Sequence, residues 1–214
     1  MLAGMRNVMG KDRIMTTESC CETYVDVFDL FLNLDMNFQH NAFAAMTEGN
    51  VEQLPLFSMI YGDYALSYGC ICRFTDEPER FEYNFIRNML WGIIPSVEAG
   101  TAQQLAAATE HMETVKRGMA FYKENKDLLF YGRLLELPKY NCSADHTVSW
   151  VARDEQKQLH PYTKTGPAVY GAIWESAQGE KFLLAYNYSP DPQTMDFGGK
   201  TYTVAGKGFI SQKL

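Results

Sequence analysis

Up to about Lys126 the apolar positions recur mainly at helical spacing, and beyond it they fall into short runs separated by turn residues. Leu2, Met5, Val8 and Met9 share one helical face and Gly10 follows in the usual stop position, which predicts the tail of a helix. Ile14 to Thr17 reads as a short strand. Between Ser19 and Asn33, residues Tyr24, Val25, Phe28, Phe31 and Leu32 make one apolar stripe, predicting a second helix. The stretch from Asn33 to Gln53 is polar and patternless, the signature of a long functional loop. Leu56 to Tyr61 reads as a second strand with Pro55 at its start, where the missing N–H does least harm. Phe81, Phe85, Met89 and Leu90 predict a helix over 81–91 that runs into Gly92 and Pro95. A longer helix follows Thr101, an N-cap with Gln104 placed to complete a capping box; Leu105, Ala108, Met112, Val115, Met119 and Tyr122 keep its period.

The later runs, Tyr131 to Leu137, Val148 to Ala152, Val169 to Trp174, Phe182 to Tyr188, Thr194 to Phe197, Thr201 to Val204 and Phe209 to Gln212, read as short strands. Gln178-Gly179, Pro190-Asp191-Pro192 and Gly198-Gly199 supply turns between them, so this half is expected to be an antiparallel β-sandwich. The expected fold class is therefore α/β plus all-β: a partial (β/α)8-barrel segment over 1–130 and a C-terminal sandwich over 131–214. No Gly/Ser linker separates them, which implies that they pack together. A whole barrel takes roughly 200 to 250 residues, and two βα units cannot close one. Either the missing N-terminal barrel half is supplied as a partner or the chain is a fragment.

Each predicted strand of the first part runs toward an acid, Glu18 in one case and Asp63 in the other. Strands of parallel barrels are buried on both faces, and chemistry gathers where they end. Glycoside hydrolysis asks for two carboxyl groups flanking the sugar, so Glu18 and Asp63 are the candidate catalytic pair. A carboxyl walled by aromatic rings such as Tyr61 and Tyr64 would hold its proton more tightly, as a general acid requires. Each also has a plainer reading. Glu18 could be an acid at a helix N-terminus stabilised by the dipole, and Gly62-Asp63 a turn that touches substrate without moving a proton. Asp29 could turn toward the same mouth or lie on a solvated helix face. His40 in the long loop and Trp91 at a helix end are the remaining candidates for sugar contact, with core packing the plainer role for Trp91.

Composition narrows the classes. With 19 Lys and Arg against 26 Asp and Glu the net charge is −7, which argues against a nucleic-acid surface and favours a neutral polymer or small molecule as partner. The five cysteines are odd in number and lack zinc spacing, and the four histidines form no ligand set, so neither metal nor cofactor is expected. No apolar window approaches a membrane span and the N-terminus has no leader-like apolar core, so the chain as written is expected in the cytoplasm, away from membranes. Esterase, nucleotide-hydrolase and dehydrogenase motifs are missing.

The blocks TTESCCETYVDVFD, PLFSMIYGDYALSYG and FIRNMLWGIIPS resemble the C-terminal part of bacterial barrel glycoside hydrolases, in particular a glycosidase-like family of gut bacteria distantly similar to α-galactosidase-type and endo-α-N-acetylgalactosaminidase-type enzymes. The resemblance implies a strand-end acid at Glu18, a second strand mouth at Asp63, Tyr61 and Tyr64, and a barrel-closing helix ending at Trp91 and Gly92. It also implies that earlier strands carry the nucleophile. Three functions stand open: a glycoside hydrolase segment with Glu18 as acid/base, a non-catalytic carbohydrate-binding or scaffolding module, and a remnant with no activity of its own.

Overall fold

The computed structural model describes residues 2–10, 12–17, 20–32, 54–98, 100–153 and 158–214. Helix α1 (Leu2–Met9) leads into strand β1 (Thr16–Thr17), and β2 (Leu30–Leu32), β3 (Leu66–Arg73) and β4 (Ile93–Glu98) follow it side by side in chain order as one parallel sheet. Helix α2 (Leu56–Tyr61) precedes β3, and α3 (Pro78–Leu90) joins β3 to β4.

Two expected elements are corrected. The helix expected over 19–33 is, in its described part, a single 3-10 turn at Glu22–Tyr24 followed by β2. Leu30, Phe31 and Leu32 form an unbroken apolar run, and Phe31 is fully buried. That suits a strand covered on both faces better than a one-sided helix. The strand expected over 56–61 is helix α2. Phe57 and Tyr61 turn inward, with Phe57 4.8 Å from the Phe31 ring, while Leu56 and Ile60 face out at helical spacing. The true strand, β3, begins beyond the turn at Gly62–Tyr64 and carries a bulge around Gly69, which sits at φ +75°. An added Cβ there would overlap Leu32, so this irregular position admits only glycine. The expected loop over 33–53 lies outside the described residues.

The single longer helix expected after Thr101 is divided at Ala108: α4 (Ala102–Ala107), where Thr101 and Gln104 form the expected capping box, is followed by α5 (Thr109–Glu124) and the short α6 (Lys126–Leu129). The rest is antiparallel. One sheet orders β13 (Phe209–Lys213), β10 (Lys181–Asn187), β9 (Val169–Glu175) and β5 (Arg133–Glu136); a second orders β12 (Lys200–Val204), β11 (Gln193–Phe197) and β6 (Asn141–Cys142). A separate hairpin pairs β7 (Asp145–Arg153) with β8 (Leu159–Pro167), the latter hidden in the sequence by its two prolines.

Strand alternation explains the layering. Val169 and Ile173 of β9 and Leu183 and Ala185 of β10 face the second sheet and meet Met195 and Val204. Their neighbours Ala172, Trp174, Leu184 and Tyr186 point the other way, into a core shared with Phe81, Phe85, Met89 and Leu90 of α3 and Cys72 and Ile93 of the parallel sheet. Helix α3 is thus enclosed, and ten of its thirteen residues are buried. Its C-terminus is tied down twice: Trp174 Nε1 donates to the Leu90 carbonyl at 3.0 Å, and Trp91 Nε1 donates to the Tyr170 hydroxyl at 2.6 Å. Gly92, at φ +76°, then reverses the chain in a space where a Cβ would strike the Trp174 ring.

Enclosing α3 buries charge. Glu82 is 4% exposed, and its carboxylate accepts from Arg117 Nη2 at 3.1 Å, Tyr186 Oη at 2.6 Å and Lys207 Nζ. Lys207 makes its reach from a left-handed backbone, φ +51°, which a non-glycine residue adopts at a cost. Burial and the adjacent Glu82 carboxylate push the Tyr186 phenol far above its ordinary pKa, keeping it a donor. Removing one member of a buried pair costs about 3 kcal/mol or more because the remaining groups lose their compensation. Glu82→Ala should therefore lower unfolding free energy by about that amount in urea titrations. Lys207→Met should cost much less in the Glu82→Ala background than in the native one, since the two act through one contact; additive losses would contradict the network.

Candidate functional site

In a parallel sheet the strand ends of one edge hold the loops that can vary without disturbing the core. Among the described residues β3 and β4 extend farthest toward that C-terminal edge. Their last residues, Arg73 and Glu98, are register partners, and Arg73 Nε donates to Glu98 Oε2. Both side chains are half exposed. The loop leaving β3 is held by Asp76, whose carboxylate accepts from the Arg73 backbone N–H at 3.0 Å and lies 4.0 Å from Arg80, while its carbonyl meets His111 Nε2 at 2.8 Å. Phe74 stacks on Phe81 at 5.8 Å, anchoring the same loop in the core. Arg73, Phe74, Thr75, Glu98, Gly100 and Gln104 line a depression of about 360 Å³. Gln104 Oε1 is engaged by the Thr101 backbone N–H, which fixes the side chain at the rim.

The residues singled out from sequence fall elsewhere. Asp29 precedes β2, Asp63 and Tyr64 lie in the turn before β3, Tyr61 ends α2, and Trp91 precedes β4, so all five sit by the N-terminal edge of the parallel sheet. For Asp63 this corrects the expectation of a strand end, since the helix took the place of the expected strand. Its side chain is exposed, as is Tyr64, while Trp91 is 1% exposed and serves the core. Asp29 ties the edge together: its carboxylate accepts from the Met15 N–H at 2.8 Å and from Arg6 Nη2 at 2.6 Å. Glu18 and His40 lie outside the described residues. Thr17, directly before Glu18, ends β1 level with Ser67 of β3.

A second hollow, of about 500 Å³, opens between α3, α5 and the Lys207 turn. Its basic groups Arg117 and Lys207 are already committed to Glu82. His146 stacks on Tyr188 at 5.8 Å, and burial together with the Lys207 ammonium lowers its pKa against the opposing pull of Glu79 and Glu82. This hollow reads as the outer side of the structural ion network. Among the described residues no three His, Cys, Asp or Glu side chains gather as a metal site, and no helix is long and apolar enough to cross a membrane.

Comparison with known proteins adds two findings. Residues 1–72 match a family described as a domain of unknown function, DUF6259. Over 198 residues the chain is 29% identical to a Bacteroides thetaiotaomicron protein named "Putative glycoside hydrolase", a match covering 88% of this chain and 26% of that protein. The chain thus spans about a quarter of the length of the relative it matches. No solved structure matches.

The Asp29 contacts generate a pH prediction. Burial opposes its ionisation, but the Met15 N–H and the Arg6 guanidinium outweigh that and hold its pKa below the ordinary value. A depressed carboxylate stabilises fully above the unfolded-state pKa of about 3.9, and that contribution is lost as pH falls through the folded value. Melting temperature followed from pH 6 to pH 2 should drop less steeply below pH 4 in Asp29→Asn than in the native chain. Parallel profiles would show that Asp29 is not coupled to the fold.

Proposed function

We propose that the chain is the last part of the α/β domain, and the β-sandwich that follows it, of a glycoside hydrolase-like protein. The observation that carries this reading is the sheet. Strands β1 to β4 lie parallel in chain order, the neighbour order of successive barrel strands, and the two-residue β1 has no partner on its outer side among the described residues. Helix α1 agrees with it. Val8 is 88% exposed, and with Gly4, Met5 and Met9 it lines an apolar hollow where the strand feeding α1 would lie in a closed barrel. The remaining strands, including the one that brings the nucleophile, then belong to a longer polypeptide or a partner chain.

In this reading Glu18, one residue beyond β1, is the general acid/base, and the substrate is a neutral glycan. The finer likeness to α-galactosidase-type and endo-α-N-acetylgalactosaminidase-type enzymes points the reading toward α-linked sugars. Asp63 has no part in it, because Asp63 sits across the sheet from the edge where β1 ends. A non-catalytic sugar-binding role is the second reading, favoured by the pairing of the Glu98 carboxylate with Arg73.

The test replaces the matching segment of the Bacteroides relative by this chain and assays the chimera on p-nitrophenyl α- and β-glycosides. Loss of a positioned acid/base lowers turnover by about 10²- to 10⁴-fold, and Glu18→Gln is expected to fall in that range while glycan binding persists. Turnover untouched by Glu18→Gln, or an inactive chimera beside an active parent, would overturn the hydrolase reading. Saccharide binding without hydrolysis, unchanged by the substitution, would establish the second reading.

A further inference from the structure

We infer that Arg73 and Glu98 form a subsite for a neutral hexose unit of an extended glycan, at a distance from the unit that Glu18 would act on. The inference rests on the carbohydrate reading above and assigns residues that neither the sequence motifs nor the comparisons single out.

Three observations carry it. The first is chemical. Arg73 and Glu98 cancel in charge, so the depression favours neither anion nor cation, yet it offers both hydrogen-bonding senses. Glu98 Oε2 is taken by Arg73 Nε, which leaves Glu98 Oε1 and the terminal guanidinium nitrogens with no hydrogen bond to any described residue. A vicinal diol fits that pairing, donating from one hydroxyl to the carboxylate and accepting at the other from the guanidinium. Gln104, its side-chain oxygen held by the Thr101 N–H, lines the same depression.

The second observation is rigidity. A weakly held surface pair would offer no site, but this one stands on two paired strands, and the adjoining loop is fixed by the Asp76 contacts and the Phe74 stack. Gly100 leaves room for Gln104: a Cβ at that position would come within 2.9 Å of Gln104 Oε1. The backbone that carries the pair is therefore already ordered, which lowers the entropy cost of binding there.

The third is distance. Thr17 lies level with Ser67, and Arg73 stands six positions beyond Ser67, one of which the bulge at Gly69 absorbs, so that β4 covers the same span in five steps from Ile93 to Glu98. At a rise of roughly 3.3 Å per residue that is about 16 Å along the strand. The pair is too far from the end of β1 to touch the bond next to Glu18, and near enough to hold another unit of the same chain. It is therefore a positioning element for long substrates.

Cello-, malto- and manno-oligosaccharides of one to six units, titrated into the 214-residue chain, provide the probe, with the Arg73 Nε–H and Gly100 amide signals followed by NMR. At least one series should shift both signals, with affinity rising with length. The double variant Arg73→Met/Glu98→Met removes both hydrogen-bonding groups together, and because the pair is half exposed its melting temperature should change little. Loss of the charged hydrogen bonds should weaken binding about tenfold or more. Probes that leave both signals unmoved, or bind the double variant equally, overturn the subsite.

In the chimera the same double substitution should raise KM for oligosaccharides in step with the lost affinity. Glu18-dependent hydrolysis with an unaltered oligosaccharide KM sinks the subsite but not the hydrolase. Binding at Arg73 without any hydrolysis retains the subsite and removes the hydrolase.

Discussion

The structure depends on one helix being enclosed without leaving its charges stranded. Helix α3 lies between the parallel sheet and the antiparallel sheet of β9 and β10, and the apolar side of each finds its cover there. That arrangement would fail if Glu82 were buried alone, because an uncompensated carboxylate in an apolar interior costs several kcal/mol. Arg117 from α5, Tyr186 from β10 and Lys207 from the turn before β13 converge on it, so three separate parts of the chain are fixed relative to α3 by one group. The two halves read from the sequence as separate architectures thus share a core. What this positions is the loop after β3, since Phe74 and Asp76 hang from the N-terminal end of α3 and set the floor beside Arg73 and Glu98.

Much of the second half was legible residue by residue. Strands β9, β10, β11, β12 and β13 stand out as short apolar or β-branched runs, and glycine or proline residues mark turns between them. The capping box at Thr101 was legible for the same reason: its chemistry is local. The first half was harder, because short apolar runs satisfy either period. LFSMIY has the pattern of a strand and folds as α2, while LFL falls on a helical stripe and folds as β2. Length would have arbitrated poorly in both cases. Strand β3 was hidden by Gly69, whose positive φ and bulge break the very alternation that reveals a strand.

That misreading propagated to the site. Placing a strand at Leu56 to Tyr61 moved the expected strand end to Asp63, whereas the helix there puts Asp63 ahead of β3 and at the N-terminal edge. Arg73 and Glu98 carried no local signal, since neither belongs to a motif and their pairing exists only once β3 and β4 are in register. They could have been found by asking which charged residues end the two apolar runs SYGCICR and GIIPSVE. Glu82 was equally silent: in a helix with acidic and basic neighbours, nothing in the pattern marks one glutamate as buried. The resemblance to barrel glycoside hydrolases reached further than the pattern did, and the similarity to the Bacteroides protein agrees with it at the level of a hydrolase-like chain.

The central claim, that one enclosed helix makes a single cooperative core of the parallel and antiparallel parts, is tested most directly by native-state hydrogen exchange under increasing denaturant. Amides of Phe85 to Leu90 in α3, Ile93 in β4 and Leu184 to Tyr186 in β10 should converge on one opening free energy equal to that of global unfolding. Persistent protection in β9 and β10 after the α3 amides have exchanged would show two independent units and contradict the account.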